Sequence, residues 1–240
     1  MCYDSNARPP VPPGNAGKAR GEDLALTAAD GNRFAAYAGR PDAPTGTRLV
    51  IFPDVRGLHQ FYKDLAVRVA EQGIATVAID YFGRTAGLSA RDDAFEFRPH
   101  VQQMRFDSFQ ADVDAALAYL REDGGDGRPT FTMGFCMGGT LSLLTGTRDL
   151  GLAGVIGFYA ALSRDIGGGG TLLDRAMGIK YPVLGLFGGA DPVIPTEQVE
   201  TFDQELDKAR VEHEIVTYPG APHGFIAAHS GQGQAVGATP

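Results

Sequence analysis

The run Gly134-Phe135-Cys136-Met137-Gly138-Gly139, directly after the apolar Thr130-Phe131-Thr132-Met133, constrains this chain more than any other stretch. It has the form glycine–x–nucleophile–x–glycine, with cysteine where serine is more usual. A nucleophile raised on a sharp strand-to-helix turn sits in a strained backbone. Neighbours without a Cβ let the strand and helix approach each other there. The helix that follows would point its free N–H groups and positive dipole end at the sulfur, favouring the thiolate, which is the reactive form. A buried cysteine beside a glycine-rich turn is the plain alternative, so the choice rests on the rest of the chain.

Two downstream stretches favour catalysis. Val183-Leu184-Gly185-Leu186-Phe187 is strand-like and ends in Gly188-Gly189-Ala190-Asp191. Glu214-Ile215-Val216-Thr217-Tyr218 alternates like a strand, breaks at Pro219-Gly220 and delivers Pro222-His223-Gly224-Phe225. The order nucleophile, acid, histidine, each just after a strand, is that of α/β-hydrolases and differs from the chymotrypsin and subtilisin orders. A papain-like arrangement needs Asn or Asp after the histidine, and neither follows His223. Separately, Asp191 could be a helix cap and His223 a surface residue. Three such elements in order make coincidence a poor explanation.

The rest of the pattern is α/β. Leu24–Thr27 and Arg33–Tyr37, joined by Ala29-Asp30-Gly31-Asn32, predict a starting hairpin. Leu49–Phe52 and Ile74–Ile79 are all-apolar runs of the kind found in buried parallel strands. Further strands are expected at Thr130–Met133, Val155–Tyr159, Val183–Phe187 and Glu214–Tyr218. Helical spacing predicts helices over Phe61–Gln72, Phe109–Arg121 and Thr196–Arg210. Strands alternating with helices imply a mostly parallel central sheet covered on both faces. Residues 1–20, rich in proline, are expected as a flexible arm, and 21–240 as a single domain.

Composition narrows the partners. With 21 basic against 29 acidic residues, the net charge of −8 argues against nucleic acid or an anionic membrane surface. No stretch reaches membrane-spanning length, and the N-terminus has no apolar signal region. Cys2 and Cys136 are the only cysteines; Cys2 sits in a polar leader, so a structural disulfide is not expected and a reducing cytoplasm suits a working thiol. No cluster shows metal-ligand spacing, so neither metal nor organic cofactor is expected. Gly167-Gly168-Gly169-Gly170 follows no strand, which argues against a phosphate cradle.

At these residues the chain resembles the dienelactone hydrolase family. Gly134–Gly139 is similar to its nucleophile elbow, and Gly189-Ala190-Asp191 and Pro222-His223-Gly224-Phe225 to its acid and histidine segments. The likeness extends to Ile51-Phe52-Pro53-Asp54-Val55-Arg56-Gly57-Leu58 and Ile79-Asp80-Tyr81-Phe82-Gly83-Arg84, covering roughly residues 24 to 227. It implies an α/β-hydrolase fold and cleavage of a small lactone or ester by Cys136, Asp191 and His223. The backbone N–H groups of Met137 and Val55 would form the oxyanion hole. The family carries a glutamate where Asp54 stands, and that glutamate contacts the resting cysteine; Asp54 is one methylene shorter and could equally be a turn residue. Arg84 matches a family arginine that binds the substrate carboxylate. Ala227 stands where dienelactone-specific members have a second arginine, with Arg56 and Arg98 as conceivable substitutes.

A final helix normally follows the histidine in this fold. Residues 228–240 are small, polar and glycine-rich, so an irregular tail is expected, with lower stability or a partner subunit covering the gap. A monomer and a dimer are both compatible. A general carboxylesterase or thioesterase, and a catalytically silent binding protein of the same fold, are the rival readings. Tyr81 and Phe135 are expected in the core or pocket wall. His59 is expected in a loop or at a helix start, and His100, His213 and His229 at the surface.

Overall fold

The computed structural model describes residues 6–12, 14, 16–122 and 127–227. The continuous apolar runs become buried strands. β3 (Arg48–Phe52) and β4 (Ala75–Ile79) are almost fully enclosed, and β5 (Thr130–Phe135), β6 (Gly154–Phe158) and β7 (Val183–Gly188) are buried over most of their length. Two outer strands open the chain, β1 (Ala19–Thr27) and β2 (Arg33–Pro41), and β8 (His213–Tyr218) closes the sheet. The order is β1-β2-β4-β3-β5-β6-β7-β8. Pairing is antiparallel for β1 with β2 and β2 with β4, and parallel from there on. The expected α/β architecture is therefore present, with the hairpin at Asp30-Gly31 extended by several residues on each side.

Helices flank both faces. Phe52 and Gly134 are register partners, as are Gly134 and Gly157, so all three share a face. On that face lie α4 (Phe106–Glu122), whose Phe109 ring is 5.3 Å from Phe52, and α5 (Met137–Thr145), whose Leu143 covers Gly157. Phe135, one residue on from Gly134, points to the opposite face. There it meets Tyr62 of α1 (Gln60–Ala70) with ring centroids 5.5 Å apart. α7 (Thr196–Ala209) lies between β7 and β8 and buries Val199, Phe202 and Leu206.

Three short helices were not foreseen: α2 (Gly83–Ala86), α3 (Phe97–Gln103) and α6 (Leu172–Arg175). α2 and α6 are single turns, and α3 buries none of its residues, so none carries an apolar period. Three residues of the segment 1–20, expected as a flexible arm, lie against α1. Ala7 is buried, Arg8 Nε lies 3.7 Å from Asp64, and Gly17 N donates to Glu71 O at 2.8 Å.

The predicted irregular tail and His229 lie outside the described residues. On the α1 face, Phe131, Met133, Ile156 and Leu184 are only half-buried. A groove of about 340 Å³ runs past Phe131, Ile156 and Leu184 there.

Candidate active site

The strand order puts the carboxyl ends of β5, β6, β7 and β8 side by side, and the chemistry-bearing residues follow those ends. Cys136 leaves β5 with φ 54° and ψ −117°, a left-handed conformation that is strained for a side chain with a Cβ. It is held there at both backbone atoms: its N–H donates to Phe158 O at 3.0 Å, and its carbonyl accepts from Thr140 N at 3.1 Å. The flanking glycines are required by contact. A Cβ on Gly134 would collide with the Gly138 carbonyl, and one on Gly138 with the carbonyl oxygens of Phe52 and Pro53. These close approaches bring the start of α5 against the end of β3. Cys136 is a half-exposed free thiol at the head of α5.

Asp191 lies three residues beyond β7. Its side chain is fully enclosed, and Oδ1 accepts from Val193 N at 2.8 Å and Ile194 N at 3.3 Å. Oδ2 accepts from His223 Nδ1 at 2.7 Å. A carboxylate can only accept, so Nδ1 carries the proton and Nε2 presents a lone pair. The two loops are tied through their backbones, Gly189 N to Tyr218 O at 2.8 Å and Ala190 N to Ala221 O at 3.0 Å. Asp191 thus caps its own turn and orients the imidazole together.

Tyr159 is a site residue that sequence reasoning missed. It follows β6 with φ 37°, and its ring packs edge-on against His223 at 5.0 Å and against Phe225 at 5.3 Å. Its N–H donates to Leu186 O at 2.7 Å. The available signal was its place at the end of a strand next to the elbow strand.

The turn after β3 holds Asp54, Val55, Arg56 and Gly57, closed by Gly57 N donating to Asp54 O at 3.0 Å. Among the described residues neither the Val55 nor the Met137 N–H has an acceptor, so both are available to a ligand oxygen. Asp54 is completely buried; its Oδ1 accepts from Arg56 N at 2.9 Å and lies 3.7 Å from Arg56 Nε. Tyr81, expected in the core, is buried with its hydroxyl against the carbonyls of Pro53 and Asp54.

Asp80, at the end of β4, is buried and pairs with Arg91 Nη2 at 2.6 Å, while Arg91 also bonds the Ser89 and Gly87 carbonyls. This pair fastens the segment after α2 against the turn holding Val55. Burial raises the Asp80 carboxyl above its ordinary range, opposed by the Arg91 charge.

Arg84 takes a different place from the one expected. Its Nε and Nη2 donate to Asp112 at 3.1 and 2.8 Å, and its Nη1 and Nη2 to Asp30 at 2.6 and 3.3 Å. The guanidinium bridges two of the protein's own carboxylates, Asp30 and Asp112. Ala227 is buried.

His59 stands at a helix start, as expected, whereas His100 and His213 depart from the surface placing expected of them. His59 caps α1, accepting from Phe61 N at 3.5 Å, with Nε2 3.4 Å from Asp93 Oδ1. Burial pushes its pKa down, the nearby Arg56 charge adds to this, and Asp93 opposes it. His100, expected at the surface, is half-buried, stacked on Phe95 at 5.0 Å and 2.9 Å from Thr85 Oγ1. His213, also expected at the surface, is half-buried, with Nδ1 2.7 Å from Val211 O and Nε2 3.1 Å from Asp203. With Asp207 it forms a group of three potential ligand atoms within 4.8 Å, which linear spacing did not reveal because α7 and β8 contribute separately.

Comparison with known proteins agrees with this fold. The family model for the dienelactone hydrolase family matches residues 34–238. A provisionally named carboxymethylenebutenolidase from Yersinia pestis is 30% identical over 206 residues, covering 82% of this chain and 76% of its own. Another with that provisional name, from Salmonella typhimurium, is 31% identical over 202 residues, covering 82% and 75%. The crystal structure of a provisionally named dienelactone hydrolase from Klebsiella pneumoniae superposes with TM-score 0.80 at 26% identity, covering 90% of this chain and 91% of that one. A mostly parallel eight-stranded sheet, a strained Cys136 elbow and a match over most of the sequence lead to one conclusion: the chain belongs to the dienelactone hydrolase family.

Proposed function

We propose that this protein hydrolyses a lactone or carboxylic ester by covalent catalysis at Cys136. The observation that carries the reading is the 2.7 Å bond from His223 Nδ1 to the enclosed Asp191, two strands from the strained cysteine. Cys136 Sγ attacks the carbonyl carbon, and its proton passes to His223 Nε2. The carbonyl oxygen becomes an oxyanion facing the N–H groups of Val55 and Met137. Collapse expels the alkoxide, which takes the proton from His223 and leaves a thioester on Cys136. Water, deprotonated by His223, then attacks the thioester and releases the acid and the thiol. Asp191 fixes the tautomer and stabilises the imidazolium at each stage.

The relatives' names point to lactones. Two observations favour a broader ester or thioester substrate: Arg84 is held by Asp30 and Asp112, and Ala227 stands where a second arginine was expected. The deciding experiment is hydrolysis of dienelactone and of p-nitrophenyl acetate by the wild type and Cys136→Ala. Lactone turnover that disappears in the variant supports the family substrate. Ester turnover alone, lost in the variant, moves the protein to a general carboxylesterase. Unchanged turnover in Cys136→Ala overturns the nucleophile assignment, and absence of both turnover and Cys136 alkylation leaves a binding protein.

A further inference from the structure

The turn after β3 is held from behind by a buried ion pair that the hydrolytic steps do not touch. Asp80, just after β4, has no exposure, and the side chain of Arg91 is only 1% exposed. Arg91 Nη2 lies 2.6 Å from Asp80 Oδ2. The same carboxylate serves the backbone: Oδ1 accepts from Phe82 N at 3.4 Å, and the Leu58 amide also bonds it. Gly57, with φ 72°, comes so close that a Cβ there would stand 2.6 Å from Asp80 Oδ1.

Arg91 is fixed in turn. Its Nη1 donates to Ser89 O at 2.5 Å and Ser89 Oγ at 2.8 Å, its Nη2 donates to Gly87 O at 2.8 Å, and its guanidinium lies 4.6 Å from the Phe95 ring centroid. A buried ion pair seldom stabilises more than apolar residues of equal volume would. What a fully satisfied buried network supplies is one permitted arrangement of the groups around it. The neighbouring Tyr81 sets its hydroxyl against the Pro53 and Asp54 carbonyls. The end of β4 therefore grips the turn at two places, residues 53–54 through Tyr81 and residues 57–58 through Asp80. Val55 lies between them. On its other side the turn meets the start of α5, where Gly138 packs on the Phe52 and Pro53 carbonyls beside Met137.

We propose, on the reading of Cys136 as the nucleophile, that Asp80 and Arg91 are positioning residues for the oxyanion donor of Val55. By clamping Gly57 and Leu58 they aim the Val55 N–H at the place where the tetrahedral oxygen develops. Such a donor works only when aimed in advance, and a displacement of about 1 Å costs on the order of a hundredfold in rate. Both side chains are enclosed, so neither reaches the substrate and the effect is confined to steps that build charge on a carbonyl oxygen. Alkylation of Cys136 by iodoacetamide is not such a step. The thiolate forms a C–S bond at a saturated carbon, iodide leaves, and no oxyanion develops.

The test compares kcat/KM for p-nitrophenyl acetate with the rate of iodoacetamide alkylation, read at Cys136 by mass spectrometry, in the full chain. Urea unfolding is followed in parallel. The main variant combines Asp80→Asn with Arg91→Met, which removes both charges at once and leaves neither buried without its partner. Its kcat/KM is expected to fall about a hundredfold while alkylation keeps the wild-type rate. Arg91→Lys retains the charge and should keep part of the lost turnover; it carries the same comparison if the double variant does not fold. Leu206→Ala, which truncates a buried residue of α7, should lower stability and change neither rate. Wild-type kcat/KM in the double variant, or turnover and alkylation that fall together, overturns the positioning role and leaves a merely structural pair. Turnover that persists in Cys136→Ala, or its absence from wild type, overturns the hydrolytic reading itself and the positioning role with it.

Discussion

His59 and Asp191 show how one side chain can carry two tasks. The imidazole of His59 caps α1 through Nδ1, which requires the neutral ring, and burial together with the Arg56 charge holds its pKa below the ordinary 6.5. The unfolded chain therefore binds a proton in a window, just below pH 6.5, where the folded chain does not. Stability contributed by neutral His59 is full above that window and is lost as the pH falls through it. His59→Asn retains a capping acceptor and removes the titration. Its unfolding free energy, measured against pH, should fall less steeply below pH 6.5 than that of wild type. Asp191 both accepts the two amides of its own turn and orients His223. Asp191→Asn should reduce turnover on the order of a thousandfold or more, because an amide can donate and so select the wrong imidazole tautomer. Stopped-flow or steady-state rates check this, while Cys136 remains present to alkylating reagent. At this scale the strand-end placing of Cys136, Asp191 and His223 was legible from order and spacing. Tyr159 was not, since only the neighbouring strand brings its ring to His223.

Among the elements, the elbow between β5 and α5 is the most demanding. Its geometry requires α5 to begin in contact with the last carbonyls of β3. Gly138→Ala forces a methyl into backbone oxygens that cannot rotate away. Overpacking of this kind costs about 1–3 kcal/mol or more, and the melting midpoint should drop by several degrees with loss of turnover. A variant that melts like wild type would contradict the packing described. The strands β3 to β7 were readable because strands buried on both faces are nearly continuous apolar runs. β1 was read only in its second half. Ala19 to Asp23 lie on an exposed edge, where no apolar alternation is needed. α2, α3 and α6 left no period because one or two turns with little burial have no face to encode.

For the molecule as a whole, Arg84 joins parts far apart in sequence: the β1–β2 turn through Asp30, its own helix α2, and α4 through Asp112. Asp112 is fully enclosed, and burial raises its carboxyl, opposed by Asn32 and Arg84. Removing the cation leaves that carboxylate with Asn32 alone. Arg84→Gln should cost about 3 kcal/mol in urea unfolding, with KM for an anionic lactone little changed. A large rise in KM at unchanged stability would instead return Arg84 to the substrate. The half-buried row Phe131, Met133, Ile156 and Leu184 belongs to this scale too.

The sequence by itself determined the α/β class, the strand that ends at Cys136 and the chain order of Cys136, Asp191 and His223, each after a strand. These are written in local periodicity and in motifs where glycine is sterically required. Only the tertiary structure decided which charges meet. Arg84 finds Asp30 and Asp112, and Asp80 finds Arg91. The physical reason is range: backbone propensity and hydrophobic period act over a few residues, whereas an ion pair depends on a distance set by the packing of the whole chain.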